Sequence, residues 1–328
     1  MLWHIGVWWA GVAISLLTIF EKISLKLRMR VVTVFFRKKD RMKNLSVIAV
    51  MLFSLCNYSL TQCSDAGVCS LRERVRTNEG SSPRQSLGIS YLFGRSAKSD
   101  DITYHTARLD GSFTVMEGAS VSVMIPFNAQ SGPLGNVSGI GDVIVVWNHT
   151  VMTSGDISAS VQVGAKFATG NANGEPALPQ QYQSGLGSND FLLGATANYN
   201  AWDVTLGYQI AGGRNSSKLT RLQRNDDMLF RAGYSLIFDR FTVHPSFLFI
   251  QRLGNSSIAN SSYPVGPEFV ELSDSAPSQI NLLTEGKYEL SDIYSLHAGV
   301  ALPFLKRKTN VDGLTRAITL SAGLSFLF

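Results

Sequence analysis

The chain has 328 residues, of which 45% are hydrophobic and 16% charged, and its formal net charge is +5. Nine Lys or Arg and two acids fall within residues 1–43, a net charge of +7, which leaves about −2 for the rest of the chain. The basic pI therefore comes from the first residues, and the remainder lacks the basic footprint of a nucleic-acid-binding protein. We also find no glycine-rich phosphate-binding motif, and we expect no cofactor, no metal and no nucleic-acid partner.

A secretory signal is predicted at residues 42–61. It starts with the charged segment Met42-Lys43-Asn44, continues as an apolar stretch over 45–55, and has the small residues Ser59 and Thr61 just before Gln62. This order of charged, apolar and small residues is typical of a signal peptide that is removed on export. The mature chain is therefore expected to begin near Gln62.

Residues 1–41 lie upstream of that signal and contain a second apolar stretch at 2–20. About twenty apolar residues can span a membrane, so an inner-membrane anchor is one interpretation. A retained anchor would conflict with export, and we favour a misassigned start codon instead.

Residues 62–84 are polar and have no strand pattern, which suits a periplasmic segment or a plug. Within them, Cys63 and Cys69 are predicted to form a disulfide in an oxidising compartment.

From residue 85 to Phe328, apolar and polar residues alternate in twelve segments of about ten residues. That is the length of a tilted strand that crosses a bilayer, and it predicts one domain, an antiparallel up-and-down transmembrane β-barrel. The last segment, 318–328, alternates throughout and ends on an aromatic residue. Such an ending is typical of a closing strand recognised by the barrel assembly machinery. The alternative for this segment alone is an edge strand of a soluble sandwich.

Connections between the segments alternate in length. Short turns are predicted at 117–118, 153–156, 200–201, 239–240 and 291–292, and longer polar loops at 95–101, 128–138, 170–190, 212–225, 251–278 and 306–316. Outer-membrane barrels join their strands by short periplasmic turns and longer extracellular loops. Aromatic residues beside the short turns, Tyr199, Trp202, Phe238 and Phe241, are predicted to form an interfacial girdle. The sequence therefore predicts the cell outer membrane and an even number of strands.

The polar face of each strand is expected to line the lumen, because a wet lumen accepts charges that a soluble core would not. Inward-facing charged residues of both signs are predicted to pair across the barrel and narrow it; they are Arg108, Asp110, Lys166, Asp203, Arg231, Glu285, Lys287 and Glu289. Apolar residues on the same faces would give a hydrophobic solute path; they are Ile144, Val146, Leu229, Leu248, Ile250 and Leu283. The alternative is that these apolar residues pack against a plug.

Four short motifs resemble the meta-pathway phenol degradation-like outer-membrane proteins, which are distantly similar to long-chain fatty acid and aromatic hydrocarbon channels. The motifs lie at 125–127, 139–142, 164–170 and 186–190, and the sequence departs from the family pattern at Ala168 and Asn189. The resemblance implies passive passage of small hydrophobic or aromatic compounds. At 139–142 we expect either a bulge that turns Asp142 inwards or a simple loop end.

An enzyme is a remote alternative, because some twelve-stranded outer-membrane barrels are lipases with a His-x-Ser pair. His244 and Ser246 fall on the same strand face, which would place them within reach of each other. Flanking aromatic residues put that face in the lumen, and no orienting acid is evident in the sequence, so we predict no catalysis. We expect a monomeric channel in contact with outer-membrane lipid; a structural or adhesive barrel with ligand-binding loops is the alternative.

Overall fold

The computed structural model describes residues 85–96, 101–174, 177–305 and 316–328. All of them belong to the compact unit Ser59–Phe328. The described strands are β1 (Ser86–Ser96), β2 (Thr103–Met116), β3 (Ala119–Gly132), β4 (Gly135–Ile140), β5 (Val143–Ser154), β6 (Ile157–Phe167), β7 (Asp190–Tyr199), β8 (Trp202–Ile210), β9 (Asp227–Tyr234), β10 (Leu236–Phe238), β11 (Phe241–Arg252), β12 (Ser257–Ala259), β13 (Phe269–Glu271), β14 (Gln279–Glu289), β15 (Tyr294–Leu305) and β16 (Arg316–Leu327). None of the helical segments in this part of the chain has the length and apolar character needed to cross a membrane.

The strands form a closed antiparallel barrel. Each strand of the wall pairs with the next strand of the wall, and β1 pairs with β16 over its whole length, from Ser86 opposite Leu327 to Ser96 opposite Arg316. β4 and β5 make one wall strand, as do β9 and β10, while β12 and β13 form a separate hairpin outside the wall. The wall therefore has twelve strands, as predicted. Pairing of the first and last strands leaves no open edge, which is the condition for a sheet in lipid.

The two faces of the wall differ as the alternation predicted. On β6, Ser158, Ser160 and Gln162 are buried, whereas Ile157 and Phe167 are exposed. The same contrast runs around the barrel, with large apolar side chains exposed on the outside and polar side chains inside. An apolar outer band is what lipid requires, so the interpretation of the last strand as the edge of a soluble sandwich is wrong.

Strand connections confirm the predicted orientation. At one end the links are short, as at Glu117 and Gly118 or at Asp239 and Arg240. The predicted girdle residues Tyr199, Trp202, Phe238 and Phe241 are all exposed at this end of the wall. At the other end lie the long loops, and the short-turn end is periplasmic.

One predicted loop is wrong. Residues 128–138 mostly continue the sheet, because β3 runs to Gly132, β4 begins at Gly135, and the two strands pair across a turn at Pro133 and Leu134. Its Gly, Asn and Ser content suggested a loop. Paired backbone groups allow a hairpin of such residues to extend beyond the membrane.

A bulge separates β4 from β5. Gly141, Asp142 and Val143 occupy a stretch that only Ile125 and Pro126 oppose on β3. A Cβ atom on Gly141 would collide with the side chains that pack over it, so glycine is needed here. The bulge, one of the two alternatives predicted at 139–142, is therefore present, and the side chain of Asp142 is buried.

The predicted signal at 42–61, the extension 1–41, the segment 62–84 with Cys63 and Cys69, and most of the loop 306–316 lie outside the described residues. These assignments stay predictions.

Candidate functional site: the barrel lumen

The lumen has two unlike sides. Almost all inward-facing residues of β6, β7, β8, β9 and β11 are buried, and we call this side the packed half. The inward-facing residues of β14, β15, β16, β1, β2 and β3 are mostly half-buried along the middle of each strand, and we call this side the open half. Because half-buried inward residues contact solvent, the water-accessible space of the lumen lies along the open half.

Small side chains account for the open half. Gly299 faces inwards on β15 and lies opposite Ser321 of β16, and Gly323 of β16 lies opposite Ser90 of β1. These residues are neighbours across three strands, and none carries a long side chain. Their short side chains take up little of the cross-section of the lumen.

An apolar cluster fills the middle of the packed half. It consists of Val146, Leu192, Leu229, Leu248 and Ile250, whose exposed fractions lie between 0% and 2%. Met124, Ile144 and Leu283 pack against the cluster and are only partly buried. These three therefore form the edge of the cluster that faces the accessible lumen.

This cluster corrects the predicted solute path. Val146, Leu229, Leu248 and Ile250 point inwards, but they contact one another instead of water. A glycine allows two members of the cluster, Val146 on β5 and Leu192 on β7, to approach each other. This glycine is Gly164 of β6, the strand between them, and it lies in register with both. With no side chain on Gly164, its two neighbours can meet across it.

Buried charges form a layer above the cluster, towards the long loops. Lys166 Nζ lies 2.6 Å from Asp190 Oδ2 and 3.8 Å from Asp142 Oδ2. Arg224, which belongs to a loop, pairs with the same Asp190 oxygen at 2.5 Å, and Gln209 donates a hydrogen bond to it at 2.6 Å. Ion pairs this deeply buried need several hydrogen bonds to offset desolvation, and Asp190 has them.

The charged residues pair along the wall, so the predicted pairing across the barrel is wrong. Arg108 and Asp110 pair at 2.8 Å on β2, and Lys287 and Glu289 pair at 2.9 Å on β14. Alternate residues of one strand, or direct neighbours on adjacent strands, lie only about 5–8 Å apart, so local partners are reached first.

Two further pairs connect strands of the wall. Arg252 Nη2 on β11 lies 2.8 Å from Asp227 Oδ2 at the start of β9, directly opposite it in register. Arg231 Nη2 on β9 lies 2.9 Å from Glu285 Oε2 on β14, so this pair crosses over β11. Ser246 of β11 lies between the two partners, and its hydroxyl accepts hydrogen bonds from Arg231 at 3.2 Å and 2.9 Å.

His244 has partners that the sequence did not suggest. Its Nε2 lies 3.1 Å from Asp203 Oδ1, and its Nδ1 lies 3.1 Å from the hydroxyl of Ser235. Asp203 is on β8 and His244 on β11, with β9 between them. Gly233 of β9 is in register with Asp203, and a Cβ atom there would overlap both Asp203 and His244. His244 and Ser246 both face inwards as predicted, but Ser246 is held by Arg231.

Three loops lie at the long-loop end of the barrel, residues 168–174 with 177–189, 211–226 and 253–278, and we call them the lid. In the first loop, Tyr182 and Leu178 pack against Ile102 just before β2, Tyr104 on β2 and Val137 on β4, so this loop reaches the outer end of the open half. The carboxylate of Asp142 accepts hydrogen bonds from the backbone N–H of Gly170 at 3.1 Å and of Leu186 at 2.9 Å. One side chain from the bulge therefore ties both ends of this loop.

The other two lid loops are joined to each other. Arg214 donates a hydrogen bond to Ser257 Oγ at 2.9 Å, and its guanidinium carbon lies 3.5 Å from the centre of the Phe269 ring. Arg221 pairs with Glu268 at 2.6 Å. Burial, and then the charge of Arg221, lowers the pKa of Arg214. These contacts join the second and third loops of the lid to each other.

Several of these residues were missed at the sequence level. Asp190 and Arg252 lie at strand ends on the inward face, so the alternation that located Lys166 could have located them. Arg224 lies in a loop, and no periodicity indicates that it reaches into the barrel.

The closed twelve-stranded wall, its apolar outer face and its polar interior define a transmembrane β-barrel of the outer-membrane type, and the chain is an outer-membrane protein. No protein-family model matches it, and no curated protein matches it. Among solved structures it is similar to an outer membrane channel from Pseudomonas putida F1, with a TM-score of 0.58 and 14% identity, covering 77% of this chain and 100% of that one. It is also similar to the translocator domain of the autotransporter NalP from Neisseria meningitidis, with a TM-score of 0.43 and 10% identity, covering 76% and 90%. At these identities the likeness to the Pseudomonas protein establishes the fold, and membership of the phenol degradation-like family stays a prediction.

Proposed function

We propose that this barrel is a monomeric outer-membrane channel for passive uptake or efflux of small hydrophobic or aromatic compounds. The observation that carries the proposal is the open half, where water-accessible space runs beside the partly buried apolar side chains of Met124, Ile144 and Leu283. A solute in this space would contact small polar residues on one side and an apolar edge on the other. In this proposal His244 and Ser246 have no catalytic role.

Size also supports a channel for small solutes. Barrels of 16–18 strands leave a wide aqueous channel, and a twelve-stranded barrel is narrower. Here the packed half removes a further part of the cross-section. The motif resemblance to the phenol degradation-like proteins implies the same class of solute.

The test replaces Leu283 by Asp in the path and compares it with Leu282→Asp on the lipid face next to it. Liposome swelling with a phenyl glycoside and with the unsubstituted sugar measures the aromatic contribution to passage. We expect Leu283→Asp to fold and to lower the ratio of the two rates several-fold, because the new charge stays hydrated in the lumen. Leu282→Asp should instead weaken insertion by about 1–3 kcal/mol. Folded wild-type protein that passes neither solute would contradict the channel.

A structural or adhesive barrel is the second candidate, and exposed apolar residues of the lid favour it. Tyr263 and Val265 lie at the tip of the loop 253–278 with exposed fractions of 60% and 83%. Replacing both by Ser should leave solute passage unchanged if the channel proposal is right. Loss of cell adhesion with unchanged swelling rates would favour the second candidate.

A further inference from the structure

In two ion pairs of the lumen one partner is much more exposed than the other, and in both the more exposed partner is the acid. In the pair of Arg231 with Glu285, the arginine side chain is 6% exposed and the glutamate 43%. In the pair of Lys287 with Glu289, the values are 16% and 42%. Both acids lie on β14, which belongs to the open half. Each pair is therefore a dipole whose negative end meets the water of the lumen.

The remaining charges beside and below the apolar cluster do not reverse this. Arg108 is 37% exposed, but it pairs with Asp110, which is 25% exposed on the same strand. Asp203 is 17% exposed, and its partner His244 is almost fully buried at 2%. Among the described charges beside and below the cluster, four carboxylates (Asp110, Asp203, Glu285 and Glu289) thus face three permanent cations (Arg108, Arg231 and Lys287), and His244 adds a positive charge only when it is protonated.

The charged layer above the cluster adds little. It contains three acids and three bases, Asp142, Asp190, Asp227, Lys166, Arg224 and Arg252, each at most 8% exposed. Equal numbers of buried, mutually paired charges give a small net field in the accessible space. The sign of the electrostatic potential in the accessible lumen is therefore decided by the charges of the open half, near its periplasmic end.

A narrow pore with low-dielectric walls amplifies the effect of having more accessible negative charge than positive charge. Accessible carboxylates raise the local concentration of cations and lower that of anions, and rings of Asp or Glu select for cations in other channels. From the exposed Glu285 and Glu289, with their counter-ions buried behind them, we infer that the lumen selects cations over anions. The solute class of the proposed channel is then neutral or cationic, and aromatic carboxylates are rejected. This inference rests on the proposed channel function.

The primary test is a planar-bilayer recording of the full mature barrel under a KCl gradient. We expect a reversal potential that corresponds to a several-fold preference for K⁺ over Cl⁻, and a smaller preference at 1 M salt because screening shortens the reach of the carboxylates. Liposome swelling should rank benzylamine and benzyl alcohol well above benzoate.

Variants assign the effect to the two glutamates. Glu289→Gln should remove part of the cation preference, and Glu285→Gln with Glu289→Gln should remove most of it. Glu271→Gln, at an exposed position of β13 outside the wall, is the matched control and should leave the reversal potential unchanged. Since Glu285→Gln removes the acid that is paired with Arg231, heat-modifiable gel mobility must show that the double variant is folded. The single Glu289→Gln variant and the salt dependence test the inference without the double variant.

Anion preference or no preference in a conducting wild-type barrel would overturn the inference and leave the channel proposal intact. A folded barrel that conducts no ions and passes no solute would overturn both.

Discussion

The packed half and the open half are built from the same strand geometry, yet one is a core and the other borders water. In the packed half, Leu192 and Leu248 meet in an apolar cluster, and Lys166 with Asp190 forms part of a buried charged layer. In the open half, small residues such as Gly299 and Ser321 leave the lumen accessible. The difference teaches that the inward side-chain volumes, strand by strand, decide where a barrel of this size can conduct.

The glycines of the two halves differ in the size of their cross-strand neighbours. Gly164 and Gly233 each lie between strands with larger inward side chains, and those side chains meet over the glycine. Gly299 and Gly323 lie beside small residues, Ser321 and Ser90, which fit closely against them. The effect of a glycine on the lumen therefore depends on its cross-strand neighbours.

The largest difference between the halves is expected for buried charge. Asp190→Ala leaves Lys166 and Arg224 buried without their shared acid, and we expect a loss of about 3–5 kcal/mol or failure to fold. Glu289→Ala in the open half removes a half-exposed acid and should cost at most about 1 kcal/mol. Urea unfolding in detergent or lipid vesicles measures both. Equal losses would mean that the two halves do not differ in charge burial.

A second comparison uses two leucines of the same cluster. Leu248→Ala creates a cavity in the packed half and should cost about 2–5 kcal/mol. Leu283→Ala, at the partly buried edge, should cost roughly half as much, since less of its surface is removed from water. The same unfolding assay applies. A larger loss of stability for Leu283→Ala than for Leu248→Ala would contradict the assignment of the apolar core to the packed half.

The smallest effect concerns the glycines. Gly233→Ala puts a methyl group between Asp203 and His244, and we expect a cost of about 1–3 kcal/mol from overpacking. Gly88→Ala in the open half meets the Ser325 hydroxyl at 3.1 Å, and because this hydroxyl can rotate away, the change should stay within about 0.5 kcal/mol. Unfolding midpoints of the two variants test this. Indistinguishable midpoints would argue against a packed contact over Gly233.

Much of the wall could be read from the sequence, because a side-chain period of two assigns each strand residue to lipid or lumen without knowledge of its neighbours. The short turns at Glu117 and Gly118 and the girdle at Trp202 followed from the same reasoning. The hairpin at 128–138 was missed, since turn-rich composition cannot distinguish a loop from strands that pair beyond the membrane.

The candidate site was predicted less completely. Alternation put Lys166, Arg231 and His244 in the lumen, but it gave no partners for them. Those partners depend on register: Asp203 reaches His244 only because Gly233 lies between them. Arg224 reaches Asp190 only because a lid loop folds over the mouth.

What the sequence by itself determined was the class of structure, twelve amphipathic strands with a lipid face and a lumen face, because each strand carries that information locally. Which lumen residues contact water was decided by the tertiary structure alone. Val146 and Ile144 lie on the same face of β5, yet only Ile144 borders the accessible space. Burial inside a barrel depends on the volumes of residues that are distant in the chain, and those are brought together only when β1 closes on β16.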